Sequence, residues 1–226
     1  MPAPDLHSWI RGKGRQPDSL VFDLDGTLWD STETVANAWN AALRRSGRPE
    51  PLLTGADLME LMGLPHRDIL HQLLPRSEGP QQEALLLACY AEEEQALHRE
   101  GGRLYPGVAE GLRALAGSYP LCIVSNCPTG YIESFLAWAG LGELISDFEC
   151  HGNTGLPKDE NLILVAKRNG LENPVYVGDS LGDRHAAEKA GWPFIHARYG
   201  FGDAGEDCLA LETFAELPEA LLGRAQ

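Results

Sequence analysis

A chain of 226 residues with 43% hydrophobic and 23% charged side chains can bury a substantial core, as one large domain or as a domain carrying an insert. Its formal net charge of −15 and pI of about 4.8 argue against a nucleic acid as partner and disfavour an anionic membrane surface. A small anionic ligand stays compatible with that balance, provided a metal ion and a few local cations supply the positive field.

Residues 1–18 combine Pro, Gly and basic side chains and read as an N-terminal tail or loosely docked arm, without the apolar stretch of a secretory signal. Ser19 to Leu24 reads as a short buried strand. A helical pattern follows: Asp30 with Glu33 resembles a capping box, Val35, Trp39, Ala42 and Leu43 form an apolar stripe, and Gly47 stops it. Shorter helices are predicted over 54–62 and 66–74, and a longer one from Pro80 to about Glu100. No strand signal lies between 30 and 104, which points to a separate helical module. After Gly101-Gly102 the pattern alternates: helix 107–117, strand 121–124, helix 129–139, strand 147–151, helix 159–169, strand 175–177, helix 183–190 and strand 194–196. Strands spaced by helices imply an α/β fold, a doubly wound parallel sheet with helices on both faces. The domain reading is tail 1–18, α/β core 19–28 plus 105–226, and inserted α-helical cap 29–104.

The five cysteines (Cys89, Cys122, Cys127, Cys150, Cys208) are scattered, odd in number and show no C-x-x-C spacing, so free thiols in a reducing compartment are expected. No apolar run approaches the ~20 residues of a membrane helix, and the cytoplasm is the expected location.

The chemistry concentrates at strand ends. Asp23-Leu24-Asp25-Gly26-Thr27 follows the first strand, where side chains two apart share a face. One carboxylate there can hold a cation and attack an electrophile while the other moves protons, which is phosphoryl chemistry on an aspartate. Ser125-Asn126 ends the strand at 121–124, Lys158 begins a helix, and Gly178-Asp179-Ser180-Leu181-Gly182-Asp183 follows the strand at 175–177. Parallel strand ends converge on one edge, so these distant residues can meet.

In this order the four motifs resemble the haloacid dehalogenase superfamily of aspartate-nucleophile phosphatases, with a helical cap of the phosphoglycolate phosphatase and β-phosphoglucomutase type. The likeness spans about residues 19–222; Pro157-Lys158-Asp159 departs from the Lys-Pro that many relatives carry. The resemblance implies Asp23 as nucleophile and Asp25 as general acid/base. It assigns Mg²⁺ to the Asp23 carboxylate, the backbone carbonyl of Asp25 and Asp179, with Asp183 as a further or outer ligand. Ser125, Asn126 and Lys158 would hold the phosphoryl oxygens, helped by backbone N–H groups at 26 and 126. Arg67, in the cap, stands where some relatives present an arginine to the substrate, and Tyr199-Gly200-Phe201-Gly202 resembles a loop beside the site.

Within the family, Asp25 speaks against the dehalogenases, whose halide leaving group needs no proton. Residues 30–104 contain no lysine, against the phosphonatases and, less strongly, the sugar phosphomutases. The expected activity is Mg²⁺-dependent hydrolysis of a small phosphorylated metabolite, phosphoglycolate-like by analogy of cap type. A phosphomutase stays open as an alternative, and a receiver-type signalling domain is a third reading that motif order opposes. The oligomeric state is not legible.

Overall fold

The computed structural model describes residues 6, 9, 16–47, 52–73 and 80–223, the side chains of His66 and Gln82 excepted. Most of the arm at 1–18 lies outside these residues. Leu6 and Trp9, within it, are helical and pack on the main core.

Four residues suffice for the central strand. β1 (Ser19–Phe22) is buried along its whole length, as a parallel strand covered on both faces must be. It pairs on one side with β4 (Leu121–Ser125) and on the other with β6 (Pro174–Gly178). β5 (Asp147–Cys150), β7 (Phe194–Ala197) and β8 (Leu209–Leu211) complete a six-stranded parallel sheet of order β5-β4-β1-β6-β7-β8. The chain winds outward from β1 through β4 to β5, crosses back to β6 and winds the other way. The switch falls beside β1, which opens a crevice at its C-terminal end.

Alternation along the strands divides the interior. Leu20, Phe22, Leu121, Ile123, Val175 and Val177 face one layer, built with α5 (Val108–Ala116), α6 (Tyr131–Ala139) and α10 (Glu216–Leu222). Val21, Cys122, Val124 and Tyr176 face the other, covered by α8 (Lys158–Asn169) and α9 (Leu181–Ala190). A 3₁₀ turn at Gly142–Leu144 and the short α7 (His151–Thr154) flank β5.

Between β1 and α5 the described residues form an insert with the helices α1 (Thr32–Arg45), α2 (Gly55–Met59), α3 (His66–Leu73) and α4 (Pro80–Glu100). The insert is bracketed by a two-stranded antiparallel ribbon, β2 (Trp29–Asp30) with β3 (Arg103–Leu104), which hydropathy does not reveal because each strand has two residues. α1 packs on α4, where the buried Trp39 indole donates to Glu93 Oε2 at 2.6 Å. The expected Asp30/Glu33 box does not form. Thr32 opens the helix and Asp30 Oδ1 accepts from its backbone N–H (3.1 Å) and hydroxyl (2.7 Å), while Ser31, at the cap position, turns its hydroxyl elsewhere. β8 and α10 are two further elements that the sequence reading did not identify. Among the described residues no helix is long and apolar enough to cross a membrane.

Buried Asn40 ties α1 to the segment before α2, donating to the Leu53 carbonyl (2.7 Å) and accepting from the Leu53 N–H (2.8 Å). Asn40→Ala should strand both groups and cost on the order of 2–4 kcal/mol in urea unfolding. A change below about 0.5 kcal/mol would show that the clasp is not needed.

Candidate active site

The loop after β1 folds back on itself. Gly26 takes φ +81°, its N–H donates to the Trp29 carbonyl (3.0 Å), and the Leu28 N–H donates to the Leu24 carbonyl (2.8 Å). This turn sets Asp23 and Asp25 at the head of the switch-point crevice. It also uses up the Gly26 N–H within the turn, so that group is not the anion donor expected from the motif.

Lys158 is the hub. As first residue of α8 it is buried, with Nζ 2.9 Å from Asp23 Oδ1 and 2.5 Å from Asp183 Oδ1. Asp183 is fixed from several sides. Its Oδ1 also accepts from the Tyr176 hydroxyl (3.2 Å), and its Oδ2 accepts from the backbone N–H (3.0 Å) and hydroxyl (2.6 Å) of Ser180 in the capping box that starts α9. Asp179 follows β6 in a narrow slot. A Cβ on Gly26 would lie 2.2 Å from its Oδ2, and one on Gly200 would lie 2.5 Å from its Cβ and 2.2 Å from the Gly26 carbonyl. The loop after β7 supplies the Phe201 and Gly202 N–H groups to Asp179 Oδ2 at 2.8 and 3.0 Å, so the segment 199–202 does lie beside the site.

Asp25 is held differently. Its Oδ1 lies 2.8 Å from both the Ser31 and the Tyr131 hydroxyls, which are themselves 2.7 Å apart. Neither was a sequence candidate. Ser31 reads as a helix cap, and Tyr131, on α6, is 106 residues away from its partner. Trp29 continues this wall, with the rings of Tyr131, Phe135 and Trp138 at centroid distances of 5.7, 5.0 and 5.8 Å.

Asp23, Asp25, Ser125 and Asn126 line one small cavity of about 10 Å³, roofed by Met62, Gly63 and Leu64 of the insert. The Asn126 side chain donates to the Gly63 carbonyl (2.7 Å), so its amide joins insert to sheet edge. Arg67 stands apart. It lines a neighbouring cleft and its Nη2 bonds both oxygens of Glu83, at 3.0 and 2.9 Å, with half of its side chain exposed.

Electrostatically the site is short of positive charge. Burial and then the Asp183 charge hold the Asp23 carboxyl well above its usual range, Lys158 opposing them. Burial and Asp183 push Asp179 up to about 7. Burial would raise Asp183 too, but Lys158 and the Ser180 bonds hold it below the ordinary value. Burial disfavours the Lys158 ammonium, yet Asp183 and Asp23 outweigh it and keep the lysine charged. Oxygens of Asp23, Asp179 and Asp183 lie within 4.8 Å of one another, an all-oxygen set suited to a hard dication. Both oxygens of Asp183 already accept two hydrogen bonds each.

A profile of the haloacid dehalogenase-like hydrolases matches residues 20–197. A plasmid-encoded phosphoglycolate phosphatase of Cupriavidus necator is 32% identical over 218 residues, covering 90% of each chain. One from Rhodobacter capsulatus is 30% identical over 216 residues, 91% of this chain and 97% of its own. The crystal structure of a predicted phosphoglycolate phosphatase from Haemophilus somnus superposes with TM-score 0.75 at 25% identity, over 90% of this chain and 97% of that one. The chain belongs to the haloacid dehalogenase-like hydrolases.

Between the ordinary aspartate value near 4 and about 7, folded Asp179 keeps a proton that the unfolded chain has lost. The metal-free protein should therefore lose stability as pH rises through that window and stay low above it. A bound dication reverses the penalty, so saturating MgCl₂ should raise the melting temperature more at pH 8 than at pH 5.5. An equal shift at both pH values would remove Asp179 from the cation site.

Proposed function

We propose that this chain is a Mg²⁺-dependent phosphatase that hydrolyses a small phosphorylated metabolite through an aspartyl-phosphate on Asp23. The observation that carries this reading is the buried Lys158 ammonium shared between Asp23 and Asp183, beside Asp179. Magnesium, held by the Asp23 and Asp179 carboxylates and the Asp25 carbonyl with Asp183 behind, would offset charge on the phosphoryl group and the nucleophile.

Lys158 grips Asp23 Oδ1, which orients the carboxylate and leaves Oδ2 to attack phosphorus. As that bond forms, the ester P–O bond breaks and Asp25 delivers a proton to the leaving oxygen. Ser31 and Tyr131 both hold Oδ1 of Asp25, which orients the carboxyl for that transfer. Asp25 then takes a proton from water, which attacks the acyl phosphate and regenerates Asp23 with release of inorganic phosphate. Lys158, the Ser125 hydroxyl and the Asn126 backbone N–H stabilise the transferring oxygens.

The domain reading belongs to the same proposal. Residues 29–104 act as a cap on a core of 19–28 and 105–226; residues 1–18 are an N-terminal tail. The cap excludes water from the aspartates, and Arg67 stands in the cap wall on the substrate side. The relatives' names make phosphoglycolate the reference substrate for assay. The strongly acidic chain takes neither nucleic acid nor membrane as partner, and works in the cytoplasm.

Phosphate release from small phosphomonoesters should require Mg²⁺ and stop with EDTA. Asp23→Asn should abolish turnover while the thermal transition persists; retained turnover sinks the covalent mechanism. Asp25→Asn should lower kcat/KM about 10²–10⁴-fold for an alkyl phosphate. For p-nitrophenyl phosphate, whose leaving group needs no proton, it should lower kcat/KM far less, and equal losses would remove the acid role from Asp25.

A further inference from the structure

The cavity over Asp23 and Asp25 has room for about one water, so the leaving group of a substrate must lie elsewhere. A second cavity adjoins it, sharing Asn126 and Cys127 as walls: a cleft of about 640 Å³ between the insert and the sheet edge. The proposed reaction fixes which way the leaving group points. Its oxygen must sit beside Asp25, and the Tyr131 hydroxyl that holds Asp25 Oδ1 belongs to a residue lining this cleft. The leaving group therefore extends into it.

The cleft has two properties that select. Its volume is that of a pocket for a drug-sized ligand, far more than a two-carbon acid fills. Its charge is negative. Among the described residues that line it, the carboxylates of Asp68, Glu83, Glu93 and Glu94 face one guanidinium, Arg67. Arg67 is committed to Glu83 through two bonds, so the cation best placed to greet a carboxylate is already neutralised. Glu93 is buried and bonded to Trp39, while Asp68 and Glu94 are exposed at the cleft surface. A leaving group bearing its own carboxylate would enter this field against like charge. One bearing hydroxyls or an amine would find acceptors.

We propose that the substrate of this chain is a phosphomonoester with a non-acidic leaving group, hydroxyl-rich or amine-bearing and larger than two carbons, and that Asp68 and Glu94 reject carboxylate-bearing competitors. This rests on the phosphatase reading above and departs from the substrate for which the relatives are named.

The test measures kcat/KM of the full chain with Mg²⁺ on glucose 6-phosphate, glucosamine 6-phosphate, 6-phosphogluconate and 2-phosphoglycolate, with p-nitrophenyl phosphate as a generic ester. At least one of the two sugar phosphates should exceed both carboxylate-bearing substrates by tenfold or more. The Asp68→Asn, Glu94→Gln double variant should narrow the ratio of glucose 6-phosphate to 6-phosphogluconate about tenfold. Preference for 2-phosphoglycolate or 6-phosphogluconate, or hydrolysis of p-nitrophenyl phosphate alone, overturns the proposal while leaving a phosphatase. An unmoved ratio in the double variant overturns the role of the two acids. No release from any ester, the generic one included, removes the phosphatase reading and this proposal with it.

Discussion

Everything at the head of this sheet depends on one buried ammonium. Asp23, Asp179 and Asp183 are brought together because parallel strand ends converge, and three carboxylates so placed repel one another in a medium that also penalises their charge. Among the described residues Lys158 is the cation bonded into the cluster, to Asp23 and Asp183. It does not balance it. The residual negative charge falls on Asp23 and Asp179, whose carboxyls are raised, and is the physical reason for expecting a dication there. Removing Lys158 would leave the buried carboxylates uncompensated, a loss that commonly costs ~3–5 kcal/mol.

The surrounding backbone is shaped to that cluster. Gly26 and Gly200 close on the Asp179 carboxylate from two loops, at distances that exclude even a methyl group. The Ser180 and Asp183 pair both starts α9 and aims a carboxylate at Lys158. Ser31 departs from its local role: it occupies the cap position, but its hydroxyl goes to Asp25 and leaves Asp30 to accept from the first N–H of helix α1. Such a departure from local rules is expected where function competes with propensity.

That pattern explains what was legible in the sequence. Apolar runs at 20–22, 121–124 and 175–177 are long enough, and bounded sharply enough, to give strands and hence their ends, where Asp23, Ser125 and Asp179 sit. Lys158 was legible because a helix start follows a turn. The ribbon β2/β3 was not, since two-residue strands carry no periodicity, and three-residue β8 and α10, with Pro218 in its first turn, are barely better. Tyr131 was invisible for another reason: its contact with Asp25 is made only by tertiary packing, and at helix spacing it is one more aromatic of α6. The Asn126 side chain was assigned by its neighbours in sequence, whereas its partner, the Gly63 carbonyl, lies across the interface with the insert.

The bond between Asn126 and Gly63 seats the insert on the sheet edge. With Met62, Gly63 and Leu64 seated on the aspartates, the space beneath them admits a water but not a tetrahedral anion of four oxygens. On the phosphatase reading proposed above, a phosphoryl group fits beside Asp23 only when Met62, Gly63 and Leu64 move away, which separates the Gly63 carbonyl from Asn126.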